Sequence, residues 1–269
     1  MAMISLRGFS ALSIAVSLTV SCGEDKAATP ADKTKVALYA GRGACEWCKT
    51  AAESMFEWMG YEVERISPEF INASSLDGFD LICFPGGDMY EYSQDISSEG
   101  KIKIKQFISA GGGYFGICGG AYFAAEEVYW RGGRLDMRPL SLYSGTAAGP
   151  VDQIVAYPDY GMCALDVATL GHPITAGEDG SMSVLYYWGP YLAPDAGFEG
   201  DVICDYHITA THAMLAFEYG EGRVFLTGVH PEVEENDDRD GTDAGDDLTD
   251  PETDWDFMKK AARWCLGEI

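Results

Sequence analysis

Gly111-Gly-Gly-Tyr-Phe-Gly-Ile-Cys-Gly-Gly-Ala-Tyr122 is the stretch that decides the fold of this 269-residue chain. Gly113 to Ile117 is a short apolar run that reads as a buried strand, and Gly119 to Val128 reads as the helix after it. Cys118 stands between them with small residues on both sides. A nucleophile elbow needs this shape: small neighbours allow a sharp turn that lifts the nucleophile clear of the sheet, and amides opening the next helix face a developing oxyanion. A buried structural cysteine in a tight turn is the simpler alternative.

The same alternation extends in both directions. Lys35 to Tyr39 is apolar and closes at Gly41-Arg-Gly43, and Glu46 to Met59 then spaces Trp47, Ala51, Met55, Phe56 and Met59 as a helix does. Tyr61 to Ile66 alternates like a strand with one solvated face, whereas Phe79 to Phe84 is more continuously apolar and ends at Pro85-Gly86-Gly87. Ile102, Ile104, Phe107 and Ile108 mark a further helix. After Trp130 the pieces shorten: Gln153 to Tyr157, Ser183 to Trp188, Val202 to Tyr206 and Met214 to Tyr219 are strand-like, and Arg223 to Thr227 is a strong closing strand. A final helix is expected from Trp255 to Leu266. Strands alternating with helices predict an α/β domain, a three-layer sandwich around a mostly parallel sheet. No internal repeat or linker divides it.

Two further motifs end apolar strands, where parallel-sheet folds place functional loops. In Gly228-Val-His230-Pro-Glu232 the histidine can take a thiol proton and the carboxylate can hold its imidazole. In Phe84-Pro-Gly86-Gly87-Asp88 the two glycines let backbone amides approach an oxyanion. Pro-Gly-Gly, Gly-Ile-Cys-Gly-Gly and His-Pro-Glu, in that order, resemble the class I glutamine amidotransferase-like superfamily. More narrowly, Gly111 to Tyr122 and Gly228 to Glu232 resemble the family named after the N-terminal domain of fungal biotin-protein ligases. Tyr143-Ser-Gly-Thr-Ala-Ala-Gly-Pro150 and Tyr186-Tyr-Trp-Gly-Pro190 are similar to segments that accompany those motifs. The resemblance spans about Val36 to Ile269.

It implies Cys118 as nucleophile, His230 as general base, Glu232 as the carboxylate that orients it, and amides near Gly86, Gly87 and Gly119 as oxyanion donors. Biotin ligation does not carry over, because in the ligases that chemistry belongs to a separate catalytic domain, and none is expected before Ile269. Branches with protease or glyoxalase-like activity often carry a histidine directly after the nucleophile. Gly119 stands there, which argues against them. Tyr122, Tyr187 and Trp188 are candidates to line a pocket over Cys118, or else core residues. The motifs call for no cofactor and no metal.

Near the N-terminus one positive charge leads into the apolar run Gly8 to Val20, too short to span a membrane, followed by Ser21-Cys22. Residues 1–21 read as a signal peptide. Leu18 to Cys22 resembles a lipobox, with Thr19 departing from the usual aliphatic residue, so Cys22 is the candidate lipidation site and a lipid anchor the expected membrane contact. Residues 22–35 read as a flexible tether and residues 36–269 as the folded domain, whose location is then the cell envelope. With 43 acidic against 18 basic residues the formal charge is −25, which repels phosphate backbones and excludes nucleic acid as a partner. The acidic residues concentrate in 233–254, a run expected to be a solvated loop.

Weaker signals remain. Cys45-Glu-Trp-Cys48 has thioredoxin-like spacing at a helix start, open to a structural disulfide, surface thiols, a redox relay or metal ligation. Cys83, Cys163, Cys204 and Cys265 sit in apolar segments as small core residues. Asn236-Asp-Asp238-Arg-Asp240-Gly241, with Asp247 further on, resembles the start of a calcium loop or a plain acidic insertion. His172, His207 and His212 are too scattered for a zinc site. The leading expectation is an envelope-tethered hydrolase attacking a C–N or related acyl bond of a small-molecule or peptide-like substrate through a Cys118 thioester. Ordinary amidotransferases pass ammonia to a synthetase, for which an exported protein has no evident acceptor. The rivals are a non-catalytic binding domain of the same fold and a redox- or calcium-responsive envelope protein.

Overall fold

The computed structural model describes Met1 and residues 33–178, 180–235, 237–250 and 253–269, so the expected signal peptide, Cys22 and most of the tether lie outside the described residues. The chain divides into two units, Met1–Asp32 and Lys33–Ile269, and the second carries the helices and strands described. Its first half runs β1 (Lys35–Tyr39), α1 (Glu46–Trp58), β2 (Glu62–Ile66), α2 (Pro68–Ala73), β3 (Leu81–Phe84), α3 (Met89–Asp95), α4 (Ser98–Ser109), β4 (Gly113–Ile117) and α5 (Gly119–Ala124). The second half is richer in strands: β5 (Glu127–Trp130), β6 (Gly133–Arg134), β7 (Gly145–Gly149), β8 (Gly161–Val167), β9 (Ser181–Tyr186), β10 (Tyr191–Pro194), β11 (Asp201–Tyr206), β12 (His212–Tyr219) and β13 (Gly222–Thr227), closed by α6 (Trp255–Cys265).

Among the described residues thirteen strands form one mixed sheet with the path β2-β1-β3-β4-β13-β12-β10-β7-β5-β6, and β11, β8 and β9 branch from β12. The five strands from β2 to β13 are parallel, whereas β12 runs antiparallel to β13. Because side chains alternate across a strand, each central strand feeds two cores. On one side Val36, Leu38, Cys83, Phe115 and Phe225 pack with Met55 and Phe56 of α1 and Phe257, Met258 and Ala261 of α6. On the other, Ala37, Tyr39, Phe84, Tyr114 and Leu226 pack with Ile71, Tyr92, Ile104 and Ile108 from α2, α3 and α4 and with α5. Helices therefore cover both faces of the sheet, giving the expected three layers.

Local chemistry sets the helix ends. Ser67, Asp88 and Ser97 accept hydrogen bonds from the first-turn amides of α2, α3 and α4, the usual use of short polar side chains at an N-cap. At the other end of the chain the Arg223 guanidinium donates to the carbonyls of Trp264 and Ile269 at 2.8 and 3.0 Å, fastening the end of α6 to β13.

The structure corrects three expectations. The helix after Cys118 stops at Ala124 instead of Val128, and Glu127–Trp130 instead pairs in parallel with β7. A short apolar run cannot by itself distinguish a buried helix from a strand. Gln153 to Tyr157 is a turn, since the Asp152 carboxylate accepts the Tyr157 amide at 3.1 Å where a ladder partner would otherwise be needed. The acidic run is not wholly solvated. Glu234, Glu235, Asp240 and Asp250 are buried, and Asp238–Asp240 forms a 3₁₀ turn. Asn236, first in the expected calcium loop, lies outside the described residues. Asp240 turns inward, its two oxygens accepting the amides of Glu234 and Thr242.

Burial has a titration consequence there. It pushes the Glu235 carboxyl up to about 7 and Asp240 up to about 6, with neighbouring carboxylates such as Asp250 and Glu234 around the first and Asp246 and Glu232 around the second adding in the same direction. Both values lie above those of an unfolded chain, so the folded state binds protons more tightly. The resulting stabilisation is complete below about pH 4 and is lost as pH rises through 6 to 7. Scanning calorimetry should therefore give a melting temperature higher at pH 5.5 than at pH 7.5, by roughly 3 to 6 °C. Glu235→Gln should flatten the dependence. A higher melting temperature at pH 7.5 would contradict the burial argument.

Candidate active site

Strands β3, β4 and β13 are neighbours and parallel, so the loops leaving their carboxyl ends meet at one edge of the sheet. Cys118 leaves β4 with φ 46° and ψ −97°, a backbone region that costs a non-glycine residue about 1–3 kcal/mol. The elbow is held on both sides: the Cys118 amide donates to the Thr227 carbonyl at 2.8 Å, and its carbonyl accepts the Tyr122 amide at 3.0 Å. The following glycines are required by contact. A Cβ on Gly120 would lie 2.0 Å from the Phe84 carbonyl oxygen, and one on Gly119 would lie 2.5 Å from the Gly87 carbonyl oxygen. Gly87 and Gly119, the expected sources of oxyanion donors, thus have their main chains in direct contact.

After β13 the chain turns through Gly228 and Val229, and the His230 amide donates to Leu185 at 2.9 Å. His230 and Glu232 are almost completely buried, 1 % and 0 % exposed, with Nδ1 2.9 Å from the Glu232 Oε1. A carboxylate accepts there, so Nδ1 carries its proton and Nε2 is the exchangeable position. Nε2 is buried without a hydrogen-bond partner, as is Glu232 Oε2. Burial, the largest influence on the imidazole, disfavours its charge. The Glu232 carboxylate and Cys118 together outweigh it and hold the ring protonated well above the ordinary histidine value. The Cys118 thiol points to the Tyr187 carbonyl, 3.6 Å from Sγ.

Cys118, His230 and Tyr187 share a cavity of about 550 Å³, a size suited to a small molecule. Cys118 and His230 lie in its wall with Trp47, Tyr122, Tyr187 and Trp188. The aromatic rings support one another: Trp47 lies 5.2 Å from the His230 ring and 5.3 Å from Tyr187, which lies 4.5 Å from Trp188. The Trp188 indole donates to the Asp159 carbonyl, and the Tyr122 hydroxyl donates to the Trp188 carbonyl at 3.1 Å. Gly86 stands behind the site. A Cβ there would come 2.6 Å from both His230 Cε1 and Cys48 Sγ.

Sequence reasoning did not place Cys45, Trp47, Cys48, Asp88, Met89 or Tyr90 at this cavity, where all six lie. The Cys-x-x-Cys spacing was a signal for the two thiols, but nothing in a helical period shows that Trp47 turns toward His230. Among the described residues, Cys48, His230 and Glu232 also bring potential metal-ligand atoms within 4.8 Å of one another, although one Glu232 oxygen is engaged by the His230 ring. The remaining histidines lie by separate carboxylates: His172 by Asp201, His207 by Asp166 and His212 by Asp205.

Solved structures share the fold at low identity. PurLQS from Thermotoga maritima aligns with a TM-score of 0.56 at 17 % identity, over 86 % of this chain and 99 % of that one. A putative GMP synthase component from Thermoplasma acidophilum aligns at 0.52 and 15 % identity, over 88 % and 98 %. In sequence, the biotin-protein ligase of Schizosaccharomyces pombe is 27 % identical over 215 residues, 73 % of this chain and 33 % of the ligase. An uncharacterized protein of Chlamydia muridarum is 31 % identical over 121 residues, 43 % of this chain and 45 % of that protein. The chain thus spans less than half the length of either relative. The family model described as biotin-protein ligase, N terminal, matches residues 34–260. With that match across most of its length and a class I glutamine amidotransferase-like α/β fold, this chain belongs to the biotin-protein ligase N-terminal family.

Proposed function

We propose that the domain is an amidotransferase-like hydrolase in which Cys118 attacks a C–N or related acyl bond and passes through a thioester. The observation that carries this reading is the meeting, in the wall of one small-molecule-sized cavity, of a strained Cys118 with a His230 that is paired to the buried Glu232. His230, held protonated, stabilises a thiolate on Cys118 and afterwards supplies a proton to the leaving nitrogen. Glu232 holds the ring in the tautomer that turns Nε2 to this task. Amides of the Gly87 and Gly119 segments receive the oxyanion, and the aromatic wall selects a small-molecule or peptide-like substrate. The export run and Cys22 support a lipid-anchored location in the cell envelope. Fatty-acid labelling should appear in the wild type and disappear in Cys22→Ser, and equal labelling would refute the anchor.

A second reading, a binding domain that keeps the elbow for structural reasons, draws on the turn of the Cys118 thiol toward the Tyr187 carbonyl and on the aromatic wall. Alkylation of Cys118 by iodoacetamide, followed by mass spectrometry so that the other thiols do not interfere, separates the two. For the hydrolase, His230→Ala should slow the reaction at pH 7 about tenfold or more, and Glu232→Gln should slow it less, because the ring remains. Acyl electrophiles should label Cys118 and leave Cys118→Ala unlabelled at that peptide. An alkylation rate indifferent to His230→Ala would select the binding domain.

Gly86→Ala provides an independent check on the geometry. Its new methyl would lie 2.6 Å from both the His230 ring and the Cys48 sulfur, so both must shift, and overpacking of this kind costs about 1–3 kcal/mol. The variant should fold with a melting temperature reduced by several degrees and lose Cys118 reactivity more than tenfold. Wild-type reactivity in Gly86→Ala would mean that the position of His230 does not govern the thiol.

A further inference from the structure

Cys45 and Cys48 line the same cavity as Cys118 and His230, yet the proposed hydrolysis uses neither. Cys45 is the N-cap of the thirteen-residue helix α1, with extended backbone angles of −61° and 138°. Its amide donates to the Gly86 carbonyl at 3.1 Å and its carbonyl accepts the Lys49 amide at 3.1 Å, so the residue is fixed between the Pro-Gly-Gly loop and the first helical turn. Cys48 lies in that turn, 1 % exposed, with Sγ against Gly86 and within 4.8 Å of ligand atoms of His230 and Glu232.

The two thiols lie three residues apart at the start of α1, both in the cavity wall, and differ in environment. The neighbouring Cys48 thiol, the amides of the first helical turn and the charge of His230 favour the Cys45 thiolate. Led by the nearby Cys48 thiol, these influences outweigh partial burial and lower its pKa to about 7. Burial pushes the Cys48 thiol well above its ordinary value, and the adjacent Cys45 adds to the shift. An accessible, activated thiol three residues before a buried one is the arrangement that thiol–disulfide exchange requires.

We propose that Cys45 and Cys48 form a dithiol–disulfide centre in the wall of the cavity, acting on small, uncharged disulfides. The cavity is small and largely aromatic, and a chain of net charge −25 repels anionic disulfides. The Cys45 thiolate attacks one sulfur of RS–SR, forming a mixed disulfide and expelling RS⁻. Cys48 then attacks the Cys45 sulfur, closing the internal disulfide and expelling the second RS⁻. The two protons given up by Cys45 and Cys48 end on two RSH molecules. The disulfide substrate is reduced by two electrons and the cysteine pair is oxidised by two. No step passes through Cys118.

The test exposes the reduced full-length chain to excess 2-hydroxyethyl disulfide at pH 7, quenches with acid and maps the cysteines by peptide mass spectrometry. The Cys45–Cys48 disulfide should form several-fold faster than free cysteine reacts under the same conditions, because a larger thiolate fraction outweighs its lower nucleophilicity. Cys48→Ser should stop at a mixed disulfide on Cys45, and Cys45→Ser should give no adduct on Cys48. The exchange should persist in Cys118→Ser, so its failure and that of the hydrolase reading are distinguishable. Circular dichroism establishes that each variant is folded, and the wild-type measurement needs no variant. Adducts confined to Cys118, or a wild-type Cys45 and Cys48 still reduced when free cysteine has fully reacted, would overturn the proposal.

Discussion

The hydrogen bond from the Cys118 amide to the Thr227 carbonyl continues the parallel ladder between β4 and β13, and the geometry of the site depends on it. It fixes where one strand ends and the other turns. Beyond it the chain leaves β4 through a residue at positive φ and leaves β13 toward His230, so Cys118 and His230, 112 positions apart in sequence, are delivered to one edge. The strain at Cys118 is sustained because the strand on one side and the contacts of Gly119 and Gly120 on the other leave no relaxed alternative.

Charge inside the fold is handled in two ways. At the site, burial works against an imidazolium, and the Glu232 carboxylate and Cys118 reverse the balance. In the acidic segment after it, Arg239 meets the Glu234 carboxylate at 2.6 Å and lies 4.2 Å from the centre of the Trp255 ring, whereas Glu235 and Asp240 yield to burial by holding protons more tightly. The two regions are joined, because the Trp255 indole donates to the Glu232 carbonyl at 3.0 Å. Helix α6 and the acidic segment therefore brace the loop that carries His230.

The cavity wall combines contributions from separate parts of the chain. The helix after β1 supplies Trp47 and the dithiol, the loop after β9 supplies Tyr187 and Trp188, and α5 supplies Tyr122. Trp188 itself lies at φ 61°, with both its indole and its carbonyl engaged in hydrogen bonds, so the wall is built from restrained side chains. Such restraint favours recognition of one ligand shape, since little side-chain freedom remains to be lost on binding.

The sequence by itself determined the strands that carry chemistry. Lys35 to Tyr39, Phe79 to Phe84, Gly113 to Ile117 and Arg223 to Thr227 are legible because a strand buried on both faces must be continuously apolar, and the glycines after them because no side chain fits where two loops touch. Short pieces were less legible. Glu127–Trp130 read as the end of a helix because its pairing partner at Gly145–Gly149 is decided only in the sheet, and Glu234, Glu235 and Asp240 read as solvated because charge alone does not reveal that the Asp238–Asp240 turn folds back onto α1. Only the tertiary structure decided that Cys45 and Cys48 share a cavity with Cys118, that Trp47 faces His230, and that Gly86 stands against His230 and Cys48. Those relations join residues distant in sequence, and local propensity acts over a few residues while packing acts across the whole sheet.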